Sequence, residues 1–220
     1  YKRWGKRPTE KEKMTNVLRM TNDYMVNILA IFNMATPEEK MSGGAWYTYA
    51  HKQLREISSI YNFSFDAICD ATAAISPGIR WESNMRGVEI LADAIANDKN
   101  LANVSGVAGY RRNIDKASAI LLADKRNEPF RHILSGPKVT AFSDNLRNGD
   151  RNGDDKVTVD VHAFSVAVGY RYTVQTMPHI SDSQRAAIIA AYRMVAGIVG
   201  LTATQVQAIT WVVWKRIHGV

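Results

Sequence analysis

A glycine, a proline and a lysine stand together in ILSGPKVTAF, residues 133–142. Gly136 permits a tight backbone, and Pro137 suits the first position of a helix. A helix starting there would aim its free N–H groups outward and hold an anion such as phosphate. Lys138 would stand at the mouth of that site. By default its amine is a charge contact; desolvated, with its pKa lowered, it would be a nucleophile. Asp160 follows 22 positions on, in VTVDVHAFSV, as a lone carboxylate in an apolar setting. It reads as the N-cap of a helix VHAFSVAVG. A partly buried carboxylate there could also act as a base or stabilise developing positive charge.

The elements that must position these groups read as helices. Thr9, Thr36, Ser181 and Thr202 each precede Glu or Gln by three residues, the capping-box spacing, and Pro37 suits a first helical turn. An apolar stripe runs through Met14, Val17, Leu18, Met25, Ile28, Leu29 and Phe32. Further helical segments cover WYTYAHKQLREISSIY, SFDAICDATAAI, WESNMRGVEILADAIAN and NIDKASAILLAD. Trp211 and Trp214 fall at helical spacing in an apolar segment and read as core rather than as platforms for a base. The alternation of Val157, Val159 and Val161 has the period of a strand. An N-cap at Asp160 overrides it, and an all-α protein is expected.

The chain has 220 residues, enough for one domain or two lobes. Its net charge of +7 favours polyanionic partners but is also found on proteins that bind none. The single cysteine, Cys69, excludes an internal disulfide, an all-cysteine zinc site and a four-thiolate iron–sulfur cluster. It lies in an apolar run and reads as a buried, inert thiol. No run of 18 apolar residues suggests a membrane span, and YKRWGKRPTEKEK lacks the apolar core of a signal peptide. A cytoplasmic location is the expectation. Asp150, Asn152 and Asp154 have a calcium-loop spacing, but Asp155 stands where that loop needs glycine and Val161 where it needs glutamate. A solvated turn is expected there. No metal and no cofactor is expected.

The order of a Gly-Lys hairpin, a turn and then V-D-x-H at a helix start resembles the helix–hairpin–helix DNA glycosylase superfamily, of which endonuclease III is a member. AAISPGIRWESNM (73–85) is similar to that family's early helix–loop–helix. GYRRNIDKASAIL (109–121) is similar to its Y/N-x-x-K-A-x-x-I helix, with Lys116 and Ala117 in place. The matches span about residues 65–170 in the family's chain order. The hairpin departs from the family's Leu-Pro-Gly-x-Gly by one glycine, Ser165 stands near the place of a common arginine, and the cluster cysteines are missing.

The resemblance implies a two-lobed helical fold with a helix–hairpin–helix motif. A central barrel lobe would span 64–150, and 1–63 with 151–220 would form the second lobe. It implies a monomer that binds double-stranded DNA and flips a nucleotide into a cleft between the lobes. Ser135, Gly136, Pro137, Val139 and Thr140 would grip phosphates. Lys138 and Asp160 would be catalytic. Arg80, Trp81, Asn84 and His162 would line the base pocket or wedge into the gap. The activity implied is that of a DNA glycosylase, with or without lysine-dependent lyase activity. Viral relatives of the fold resemble transferases that hypermodify thymine, attaching an amine or amino acid to an activated 5-hydroxymethyluracil in DNA. A bacteriophage enzyme of that kind, working in the host cytoplasm, is the alternative. A non-catalytic DNA-binding module is the third reading.

Overall fold

The computed structural model describes residues 10–149 and 156–219. In chain order its α-helices are α1 (Glu10–Asn33), α2 (Pro37–Gly44), α3 (Trp46–Tyr61), α4 (Phe65–Ile75), α5 (Trp81–Ala96), α6 (Arg111–Lys125), α7 (Pro137–Asn148), α8 (Val161–Val168), α9 (Asp182–Val199) and α10 (Ala203–His218). A 3-10 turn at Leu101–Asn103 lies between α5 and α6. No strand occurs among the described residues, so the protein is all-α there. None of these helices alone is long and apolar enough to cross a membrane.

Three of the expected capping boxes form. Thr36 N–H donates to Glu39 Oε2 at 2.9 Å, and Glu39 N–H donates back to Thr36 Oγ1 at 3.2 Å. Ser181 with Gln184 and Thr202 with Gln205 open α9 and α10 in the same reciprocal way. Each box satisfies two N–H groups that a helix start leaves without partners. The fourth, at Thr9, and the turn at 150–155 lie outside the described residues.

The chain divides into two units, Tyr1–Gly44 with Val159–Val220, and Ala45–Thr158. The middle unit is therefore longer than 64–150. It takes in α3, which buries Tyr47, Ala50, Leu54 and Ile57 and packs on α4, α5 and α7. It also takes in Val157 and Thr158, where Asn145 Nδ2 donates to Thr158 Oγ1 at 3.2 Å. At its centre stands α4, packed against α3, α5, α6 and α7. All of its residues but Asp66 are buried, Asp70 as a paired carboxylate, and Ala67, Ala71, Ala73 and Ala74 let neighbouring helices approach closely. Ile68 and Ile75 are fully buried, each worth about 1.5–3 kcal/mol.

In the discontinuous unit α1 packs on α8, α9 and α10, and α2 packs on α10. Gly43 makes the α2–α10 approach achievable: a Cβ there would stand 2.7 Å from the Ile209 Cα. Asn27 Nδ2 donates to the Ala167 carbonyl at 2.8 Å and ties α1 to the end of α8. Gly169 closes α8 in the left-handed conformation.

Two local expectations change. The helix expected before Gly136 is a single turn, with Ile133 N–H donating to the Phe130 carbonyl at 2.9 Å. Pro129 denies the segment a backbone donor, and four residues give no room for a second turn. The Gly-Pro-Lys segment therefore joins a turn, not a full helix, to α7. Residues 156–160 form neither strand nor helix, and Val157 and Val159 are simply buried.

Candidate functional site

Gly136 caps α7 with φ 99° and ψ 135°, a conformation that L side chains rarely adopt. Pro137 follows at the first helical position, and no side chain caps the first turn. The early N–H groups of α7 are thus left for solvent or an anion. Lys138 is half-buried in that turn, and Val139 likewise. Ser135, Pro137 and Thr140 are exposed. The Thr140 hydroxyl donates to the Gly136 carbonyl at 2.9 Å, which braces the turn. A second lysine reaches the same place: Lys116 Nζ on α6 donates to Ser135 Oγ at 3.0 Å. The Lys116 ammonium, the backbone position of Lys138 and an uncapped helix start therefore share one turn.

A partly buried ion network holds α7 on α4. Arg147 donates through Nε to Asp66, through Nη1 to Asp144 and through Nη2 to Asp70, each at 2.7 Å. Ser143 also donates to Asp70, and Lys156 reaches Asp144 at 2.5 Å. Burial pushes the Asp70 carboxyl above the ordinary carboxylate range, while Ser143 and Arg147 pull it back. Next to it, burial pushes the Cys69 thiol up. A fully enclosed thiol held protonated is inert, as the apolar run around it implied.

The base-pocket candidates of this unit separate. Arg80 is the exposed N-cap of α5. Trp81 is half-buried, and its indole N–H donates to Gln53 Oε1 at 3.1 Å. Asn84 is 2% exposed, so its side chain is enclosed and cannot wedge into a duplex. Trp81 meets the Trp46 ring edge-on at 5.0 Å, and Trp46 stacks on Phe142 at 6.3 Å and 28°. Phe142 is one helical turn from Lys138, on the same face of α7. An aromatic cluster thus lies one helical turn from Lys138 along α7. Sequence reasoning missed Trp46 and Phe142; the four-residue step from Lys138 to Phe142 was the available signal.

The other unit carries Asp160 and His162. Asp160 is the N-cap of α8, and its Oδ1 accepts from the Ala163 N–H at 2.8 Å. His162 is half-buried against the edge of Trp211 at 6.5 Å, and Lys215 Nζ lies 4.4 Å from that ring's centre. Trp214 is core as expected, but Trp211 is only partly covered. The fully buried Tyr192 phenol is pushed up chiefly by burial and also by the Asp160 charge, which puts Asp160 within its electrostatic reach. Ser165 is enclosed and accepts from the Tyr172 N–H at 3.0 Å, a structural bond.

The structure thus gathers Ser135 through Thr140 with Lys116 on the middle unit, and Asp160 with His162 on the discontinuous one. No curated protein and no solved structure matches the chain. A family model matches residues 10–218, and the chain belongs to that family, DUF7178, a family of unknown function.

Proposed function

We propose that the protein is a DNA base-acting enzyme, a glycosylase that uses Lys138 and Asp160 on an extruded nucleotide. The observation that carries this reading is the start of α7. There an uncapped helix N-terminus follows a left-handed Gly136, Lys138 stands in its first turn, and Lys116 reaches Ser135 beside it. Such a hairpin can take a backbone phosphate through N–H groups and ammonium charge together. Flipping a base costs a few kcal/mol of stacking and pairing, which phosphate contacts must offset.

In the proposed reaction the Lys138 amine attacks C1′ of the flipped nucleotide. The C1′–N bond breaks, and its electron pair leaves with the base; the C1′–O4′ bond then opens, O4′ takes its electron pair and a proton, and a Lys138–C1′ imine remains. The Asp160 carboxylate stabilises positive charge on the sugar and takes the proton that the amine loses. The reading requires Lys138 and Asp160, which lie on different units, to serve one nucleotide.

Borohydride trapping tests it. Duplex oligonucleotides carrying uracil, 5-hydroxymethyluracil, 8-oxoguanine or an abasic site are incubated with the protein and reduced. A covalent adduct with at least one of them is expected, and Lys138→Ala should abolish it. Absence of any adduct overturns the nucleophile role of Lys138.

A further inference from the structure

A cavity of about 350 Å³ opens beside α6 in the middle unit, closed on its other sides by α5 and the segment 101–107. Its volume lies at the small end of sites that take small molecules, about 300–1,000 Å³. Leu91, Val104 and Leu122 supply apolar walls. Arg111 and Asp115 stand at its exposed rim, joined Nε to Oδ1 at 2.9 Å. That contact uses one guanidinium donor and one carboxylate oxygen. The terminal fork of Arg111 and the second oxygen of Asp115 stay available.

Ser118 adds a separate observation. It is only 9% exposed, lines the cavity, and makes no side-chain hydrogen bond among the described residues. A nearly buried hydroxyl without a protein partner is uncommon, and one facing a cavity is placed to bond a ligand. Arg111, Asp115, Ser118 and Leu122 recur at helical spacing along one stripe of α6. Lys116, which serves the hairpin, points roughly 100° away from Asp115 around the same helix. The cavity and the hairpin therefore occupy different faces.

We infer that this cavity binds a small α-amino acid with an apolar side chain. Its carboxylate would meet the Arg111 fork, its ammonium Asp115 and the Ser118 hydroxyl, and its side chain the apolar walls. An amino acid presents one group of opposite sign to each member of the pair. The inference does not rest on the proposed DNA chemistry.

Calorimetric titration of the full chain with L-leucine, glycine, leucinol and 4-methylpentanoate tests it. Leucine should bind saturably. Leucinol, lacking the carboxylate, and 4-methylpentanoate, lacking the ammonium, should each bind at least about tenfold more weakly, as should glycine. Ala119→Phe, which fills the cavity, should abolish leucine binding with an unchanged circular dichroism spectrum, and Lys138→Ala should leave it intact. No saturation by leucine at about 10 mM, or equal binding of leucine and its half-charged analogues, overturns the inference.

Discussion

Asp160 caps α8, and the carboxylate chemistry proposed for it can be separated from that cap by substitution. Its Oδ1 caps α8, and asparagine caps a helix about as well as aspartate. Asp160→Asn should therefore keep the melting temperature but abolish base-directed activity. Asp160→Ala should lose activity and also about 1 kcal/mol of stability, read by urea unfolding. Retained activity in Asp160→Asn would remove the carboxylate from the chemistry. A second residue, Asp70, should govern pH dependence. Burial raises its native pKa, so its proton is held more tightly in the folded chain than in the unfolded one. Its contribution to stability is full below the ordinary carboxylate value and is lost as pH rises through the raised native value. Asp70→Asn lacks that loss, and Arg147 keeps Asp66 and Asp144. Relative to the parent, the variant should gain stability in urea melts as pH rises above the ordinary carboxylate value of about 4. A relative loss over that range would contradict the assignment.

Elements depend on contacts that are unevenly legible in sequence. The capping boxes at Thr36, Ser181 and Thr202 are local: both partners lie within one turn, so spacing alone reveals them. The same holds for Asp160 ahead of VHAF, where the capping signal outweighed the valine alternation. The Arg147 network is not local, since its carboxylates come from α4 as well as α7. The Trp46–Trp81–Phe142 cluster likewise draws on three helices distant in sequence. Neither has a periodic signature, and both emerge only when α4 is surrounded. Arg147→Leu should destabilise the protein by about 3–5 kcal/mol, because Asp70 is left buried without its cation. Gly43→Ala should cost about 1–3 kcal/mol, since its new Cβ meets backbone rather than a movable side chain. Thermal melts of the two variants check both magnitudes. A near-neutral Arg147→Leu would mean that the network does not hold α7 in place.

At the scale of the molecule, charge and chain order were legible and unit boundaries were not. The +7 charge and the sequence of hairpin, turn and V-D-x-H can be read along the chain. The boundary at 44/45 cannot, because α3 joins the middle unit through Leu54 and Ile57, and their partners are set by the fold. Under the proposed DNA binding, each lysine at the start of α7 should count in the salt dependence of affinity. Lys116→Ala and Lys138→Ala should each lower the slope of log affinity against log salt by about 0.9. An unchanged slope in both would remove the hairpin from the phosphate interface. The proposed activity itself is tested most directly by digesting enzyme-treated duplex DNA to nucleosides and weighing them. The account predicts loss of a base from one substrate by the parent protein and none with Asp160→Asn. Nucleosides unchanged on every substrate, or a heavier thymidine in place of base loss, would contradict it.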